Sequence, residues 1–183
     1  ATLLNAMELG LIDHRATIGE LKDMDLVSVA IPVEATAFLL PKILDAVGPN
    51  TLVFDMGSTK TAICESVAQH PKREQFLACH PIAGTEFSGP QAAIRNLYKD
   101  KVNMLCETHK TRPELLERAR SIFNNLGMQL REIEPIAHDR HIAYVSHLSH
   151  ITSFMLGKTV MEKEEDEQNI FDMAGSGFSS TVR

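Results

Sequence analysis

The sequence predicts an α/β protein, part of a Rossmann-like doubly wound sheet, followed from residue 135 by the start of an all-helical domain. Three observations predict it. Short runs rich in β-branched and other apolar residues, such as "LVSVAIPV" at 26–33, recur through residues 1–134. Helical patterns separate them, and strand–helix alternation builds a mostly parallel sheet with right-handed crossovers. At Pro135 the alternation stops and one long helical pattern takes over.

The opening "ATLLNAMELGLID" reads as helix, with Gly10 as its stop signal. Residues 26–33 read as a buried parallel strand. "ATAFLLPKILDAV" (35–47) reads as a helix despite Pro41, and Gly48-Pro49 ends it. "TLVFDMG" (51–57) is the next strand and "STKTAICESVAQ" (58–69) the next helix, with Ser58 placed to cap it. "QFLACH" (75–80) is a third strand, and "KVNMLCE" (101–107) and "MQLREIE" (128–134) are weaker ones. Between those two, "RPELLERARSIFNNLG" (112–127) is a helix opened by Pro113 and closed by Gly127. "PIAHDRHIAYVSHLSHITSFMLGKTVMEK" reads as a long helix, and "EKEEDEQ" after it as a solvated acidic turn. The expected domains are thus 1–134 and 135–183. Both ends read as cut, because no strand precedes the first helix and a glycine-rich turn runs straight to Arg183.

A net charge of -6 with scattered positive residues argues against a nucleic-acid partner. No stretch approaches the ~20 apolar residues that span a bilayer, so no membrane is expected. Cys64, Cys79 and Cys106 are far apart and never form C-x-x-C, which points to a reducing cytoplasm rather than a disulfide framework.

In doubly wound sheets, ligands sit outside the carboxyl ends of the strands. Ile31, Pro32 and Val33 end the first strand, Gly57 and Ser58 the second, and His80 and Pro81 the third. The topology therefore brings Ser58 and His80 to one sheet edge, within reach of a hydrogen bond. Read alone, Ser58 is a helix N-cap and His80 a strand-end histidine bonded to backbone. His138, Asp139, His141, Ser146, His147 and His150 form a second cluster on the long helix, where His147 and His150 share a face. No tight metal motif accompanies them, so no metal is assigned. In "AGSGFSSTVR", Gly175, Ser176 and Gly177 permit close backbone approach, and Arg183 suits a bidentate grip on a carboxylate.

Together these segments resemble the prephenate/arogenate dehydrogenase family of tyrosine biosynthesis. "FDMGSTK" looks like its D-x-G-S-x-K turn, and "HPIAGTEFSGP" (80–90) like its H-P-M-A-G-x-E-x-S-G-P loop. "HDRHIAYVSHLSH" is similar to its H-D-x-x-x-A-x-x-S-H-L-P-H helix, and "AGSGFSSTVR" to its A-G-G-G-F-x-D-x-T-R turn. Ile82, Ser149, Ser176 and Ser180 depart from those patterns. The resemblance implies NAD- or NADP-dependent oxidative decarboxylation of prephenate to 4-hydroxyphenylpyruvate, or the same chemistry on arogenate. It implies that His80 accepts the proton of the ring hydroxyl, and that Ser58 orients His80 or that hydroxyl. Ile31, Pro32, Val33, Gly57, Ser58 and Pro81 would line the nicotinamide nucleotide. His147, His150, Arg183, Glu86 and Gly177 would bind substrate, Glu86 through an ion pair that orders a basic side chain or gates the cleft. It also implies a homodimer built on the helical domain, with the glycine-rich nucleotide loop upstream of Ala1. One rival is another 6-phosphogluconate-dehydrogenase-like enzyme, but the long helix carries histidines where those enzymes carry a catalytic lysine. Another is a non-catalytic domain whose histidines bind metal or a protein partner.

Overall fold

The computed structural model describes residues 2–85, 87 and 89–163. Glu86, Gly177 and Arg183 lie outside the described residues. The chain divides into two compact units, residues 1–138 and 139–183.

Unit 1 is built on a five-stranded sheet in the order β1-β2-β3-β4-β5. Its strands are β1 (Leu26–Val29), β2 (Leu52–Asp55), β3 (Phe76–Pro81), β4 (Val102–Cys106) and β5 (Gln129–Glu132). The helices are α1 (Thr2–Glu8), α2 (Val33–Ala46), α3 (Thr61–Ser66), α4 (Pro113–Asn125) and α5 (Pro135–Ile142), the last running into unit 2.

β1, β2 and β3 pair in parallel, as do β4 and β5, whereas β3 and β4 are antiparallel with His80 opposite Met104 and Pro81 opposite Asn103. The exception follows from the linker. A parallel return needs a crossover, usually helical, but Pro81, Gly84, Gly89 and Pro90 break any helix there. Among the described residues of the linker the one helical piece is a 3-10 turn, Pro90–Ala92, and the chain comes back antiparallel.

Alternation along the strands sorts the core into two layers. Val53, Phe76 and Ala78 pack with Leu40, Ile43 and Leu44 of α2 and Ile63 of α3. Leu52, Phe54, Leu77 and Leu105 pack on the opposite face with Leu115, Ala119 and Phe123 of α4. Those α4 positions are four apart and form one buried stripe; burying each Leu or Phe contributes about 1.5–3 kcal/mol. Pro113 opens α4, and Gly127, at φ 74°, closes it. The Gly127 N–H bonds to Asn124 O at 2.9 Å and the Met128 N–H to Phe123 O at 3.0 Å, a reversal that an L side chain at Gly127 would strain.

Several boundaries differ from the sequence reading. β1 ends at Val29 because Pro32 begins the turn into α2 and Thr36 donates back to Ile31 O at 3.1 Å. α3 starts at Thr61 with Lys60 as its N-cap, so Ser58 is not the cap. The Gly57–Lys60 segment is held by side-chain bonds instead of joining the helix.

In unit 2, the end of α5 is followed by a π-helical turn, Ala143–His147, and by α6, Leu148–Lys163. The single long helix read from sequence is therefore interrupted where one extra residue enters a turn. Ser149, within α6, donates to Ser146 O at 2.9 Å. Tyr144, Val145, Leu148, Ile151, Phe154 and Met155 are exposed apolar residues of this unit.

Candidate active site

One buried carboxylate organises the sheet edge. Asp55, the last residue of β2, accepts from the Gly57 N–H at 2.9 Å and from the Cys79 N–H at 3.1 Å. It also pairs with the Lys60 ammonium, which donates in addition to Cys79 O at 2.6 Å. Both side chains are 0% exposed. Burial pushes the Asp55 carboxyl above the usual carboxylate range, and Lys60 with the Gly57 and Cys79 N–H groups offsets only part of that rise. Asp55 thereby fixes the turn that carries Ser58, while Asp55 and Lys60 together fix the peptide groups on either side of Cys79. The next residue is His80. Its direction is thus set by a sealed ion pair two strands wide.

Gly57 is there for space. A Cβ at Gly57 would stand 2.9 Å from Ile63 Cδ1 and 3.1 Å from Asp55 Oδ2. Only a bare backbone passes so close to the carboxylate.

Beside this staple lies an open cleft of about 670 Å³ at the carboxyl ends of β1, β2 and β3. Ile31, Pro32, Val33, Gly57, Ser58 and Pro81 all line it. Ser58 is exposed. His80 is half-buried, and its Nδ1 stands 2.9 Å from His138 Nε2. The rings meet edge-on, with centroids 5.0 Å apart at 68°. His80 reaches the α2/α3 face of the sheet, as Phe76 and Ala78 do by alternation. The start of α5, which belongs to unit 1, lies on that face beside α3, since Thr61 and Cys64 line one cavity with Pro135 and Ile136. The backbone of His147 ends the π-helical turn and exposed His150 lies in α6.

Four contributors escaped the sequence reading. Asp55 and Lys60 stood inside a quoted motif but were given no role. His138 was grouped with the helix histidines, not with His80. Tyr98, in the β3–β4 linker, lines the cleft, and burial pushes its phenol up. The thiols are inert by contrast: Cys64, Cys79 and Cys106 are buried and none is in a disulfide. Desolvation raises Cys64 to about 12 and pushes Cys79 well above the usual thiol range. Among the described residues, no three His, Cys, Asp or Glu side chains are placed to hold a metal ion, and no helix is long and apolar enough to cross a membrane.

A mixed, mostly parallel α/β unit with a glycine-floored cleft at its strand ends is a nucleotide-binding domain of the Rossmann class. Residues 1–132 match the family model described as "Prephenate dehydrogenase, nucleotide-binding domain", and residues 134–183 match "Prephenate dehydrogenase, dimerization domain". The chain belongs to the prephenate dehydrogenase family. It is 30% identical over 182 residues to the prephenate dehydrogenase of Bacillus subtilis, covering 97% of this chain and 49% of that protein. The Aquifex aeolicus prephenate dehydrogenase, solved in complex with hydroxyphenyl propionate and NAD+, superposes with a TM-score of 0.85 at 30% identity, covering 98% of this chain and 63% of that one. Synechocystis arogenate dehydrogenase superposes at 0.79 with 30% identity, covering 100% of this chain and 66% of that one. The chain therefore spans about half the length of its Bacillus relative and about two thirds of these solved chains.

Proposed function

We propose that this chain forms the catalytic part of an NAD(P)-dependent prephenate dehydrogenase, which converts prephenate to 4-hydroxyphenylpyruvate. The observation that carries the proposal is His80 at the end of β3, beside the strand-end cleft and on backbone fixed by Asp55 and Lys60. The cleft suits a nicotinamide dinucleotide: apolar Ile31, Pro32, Val33 and Pro81 offer a wall for a flat ring, and Gly57 leaves the floor open. When bound, that cofactor supplies the hydride acceptor.

His80 accepts the proton of the ring hydroxyl as the C4 hydride departs, and the ring carboxylate then leaves as CO2 while the ring becomes aromatic. An imidazole suits this task because its ordinary pKa lies near neutrality. Ser58 orients the hydroxyl or His80 from the turn below. Arg183 holds one of the substrate's carboxylates, which would be costly to desolvate alone, and His147 and His150 help bind the other end of the substrate. Gly177 lets backbone approach the substrate, and Glu86 orders a basic side chain near it. The match to the dimerization-domain model and the exposed apolar side chains of Tyr144–Met155 support a homodimer. The three buried thiols, none in a disulfide, accord with a reducing cytoplasm.

The test is reduction of NAD+ and of NADP+ by the full-length protein with prephenate and with arogenate. Turnover of prephenate is expected. Turnover of arogenate alone would move the assignment to arogenate dehydrogenase, in keeping with the Synechocystis likeness. Turnover of neither would overturn it.

A further inference from the structure

Two imidazoles 58 positions apart in sequence meet at hydrogen-bond distance, and the mechanism above uses only one of them. At 2.9 Å between His80 Nδ1 and His138 Nε2, one nitrogen donates and the other accepts. His138 is no swinging surface group. It is 1% exposed and sits in the first turns of α5, where its own N–H bonds to Glu134 O at 2.9 Å.

We propose that His138 is a positioning residue that accepts a hydrogen bond from the Nδ1–H of His80 and so holds His80 in the tautomer whose Nε2 is basic. The proposal rests on the role given to His80 above. A neutral imidazole carries one proton on one of two nitrogens. In free solution both tautomers are populated, and the one protonated at Nε2 cannot take a proton there. Tying Nδ1–H to His138 removes that unproductive form. As the substrate O–H bond breaks, an N–H bond forms at His80 Nε2, and His80 becomes imidazolium. The bond from its Nδ1–H to His138 is then charge-assisted and stronger. With its Nε2 accepting, the ring N–H of His138 is at Nδ1. An apolar side chain would fill the sealed site equally well, so filling space does not account for a nitrogen facing His80.

The experiment uses the full-length protein, its His138→Gln and His138→Leu variants, and ¹⁵N-labelled histidine. Glutamine places an amide oxygen close to where Nε2 lies, whereas leucine fills the space without an acceptor. NMR of the labelled protein, with His80 assigned by the signal lost in His80→Asn, should show protonated Nδ1 and unprotonated Nε2 in the wild type and in His138→Gln. A tautomer mixture is expected in His138→Leu. With prephenate, kcat should fall about 10–100-fold in His138→Leu, KM should change far less, and His138→Gln should retain most of the rate. A wild-type His80 protonated at Nε2, or a leucine variant as active as the glutamine one, would overturn the proposal. Should His138→Leu fail to fold, the wild-type tautomer and the glutamine variant still decide. If the wild type oxidises neither prephenate nor arogenate, the functional reading falls, and the tautomer measurement judges the His80–His138 bond on its own.

Discussion

Two side-chain pairs meet β3 at adjacent residues, one at the Cys79 backbone and one at the His80 ring, and they are built in opposite ways. Asp55 and Lys60 are both sealed from solvent, pair with each other and grip three backbone groups. His80 and His138 are titratable rings joined by one nitrogen–nitrogen contact, one ring buried and the other half-open. Moving a proton within the first pair would cost bonds that hold the edge together. The second can gain a proton and keep its contact. The difference separates support from reactivity at a site where the two are adjacent in the chain.

The contrast can be broken most sharply at Lys60. Lys60→Met would strand a buried carboxylate and should cost about 3–5 kcal/mol in a urea titration. Adding Asp55→Asn should recover part of that, because the unpaired charge is gone while an amide oxygen can still accept from the Cys79 N–H. Full stability in Lys60→Met alone would show that the pair is not the staple.

Gly57→Ala tests the next tier. The new methyl must displace Ile63 or the Asp55 carboxylate, and a loss of about 1–3 kcal/mol is expected from such overpacking. Calorimetric titration should show weaker dinucleotide binding in the same variant.

Ser58→Ala separates the two readings of that residue. As an orienting group it should lower kcat about tenfold, the worth of one hydrogen bond, with unchanged stability. As an N-cap it would cost about 1 kcal/mol of stability, an outcome that the start of α3 at Thr61 argues against.

The smallest effect lies far from the cleft, at Glu107. Burial pushes this carboxyl up, but bonds from Lys110 and Arg73 outweigh it and leave it below the usual carboxylate range. Its stabilisation is complete above the unfolded pKa of about 4.3 and is lost as pH falls through the lower folded value. The urea midpoints of wild type and Glu107→Gln should therefore converge towards pH 3. A gap that stays constant with pH would contradict the ion pair.

Much of this architecture was legible from residue patterns. β-branched runs marked the strands, Pro113 and Gly127 bracketed α4, and the ends of β1, β2 and β3 drew attention to Ile31, Ser58 and His80. What escaped had physical reasons. A lysine and an aspartate five apart across a turn ordinarily read as surface, and only the pairing of β2 with β3 seals them. Ser58 before a helical pattern looks like a cap until the Asp55 carboxylate claims the Gly57 N–H. The π-helical turn at Ala143–His147 leaves no mark that hydrophobic periodicity can register. His138 was visible as a residue but not as a partner, since spacing along the chain says nothing about where the start of α5 meets β3.

The most direct measurement compares wild type and His80→Asn in the full-length protein, with turnover of prephenate and thermal midpoint recorded side by side. A proton acceptor carried on a scaffold stapled by Asp55 and Lys60 predicts kcat lower by about a hundredfold or more, with the melting temperature and ligand binding nearly unchanged. Retention of kcat, or a loss of rate matched by a loss of folding, would contradict it.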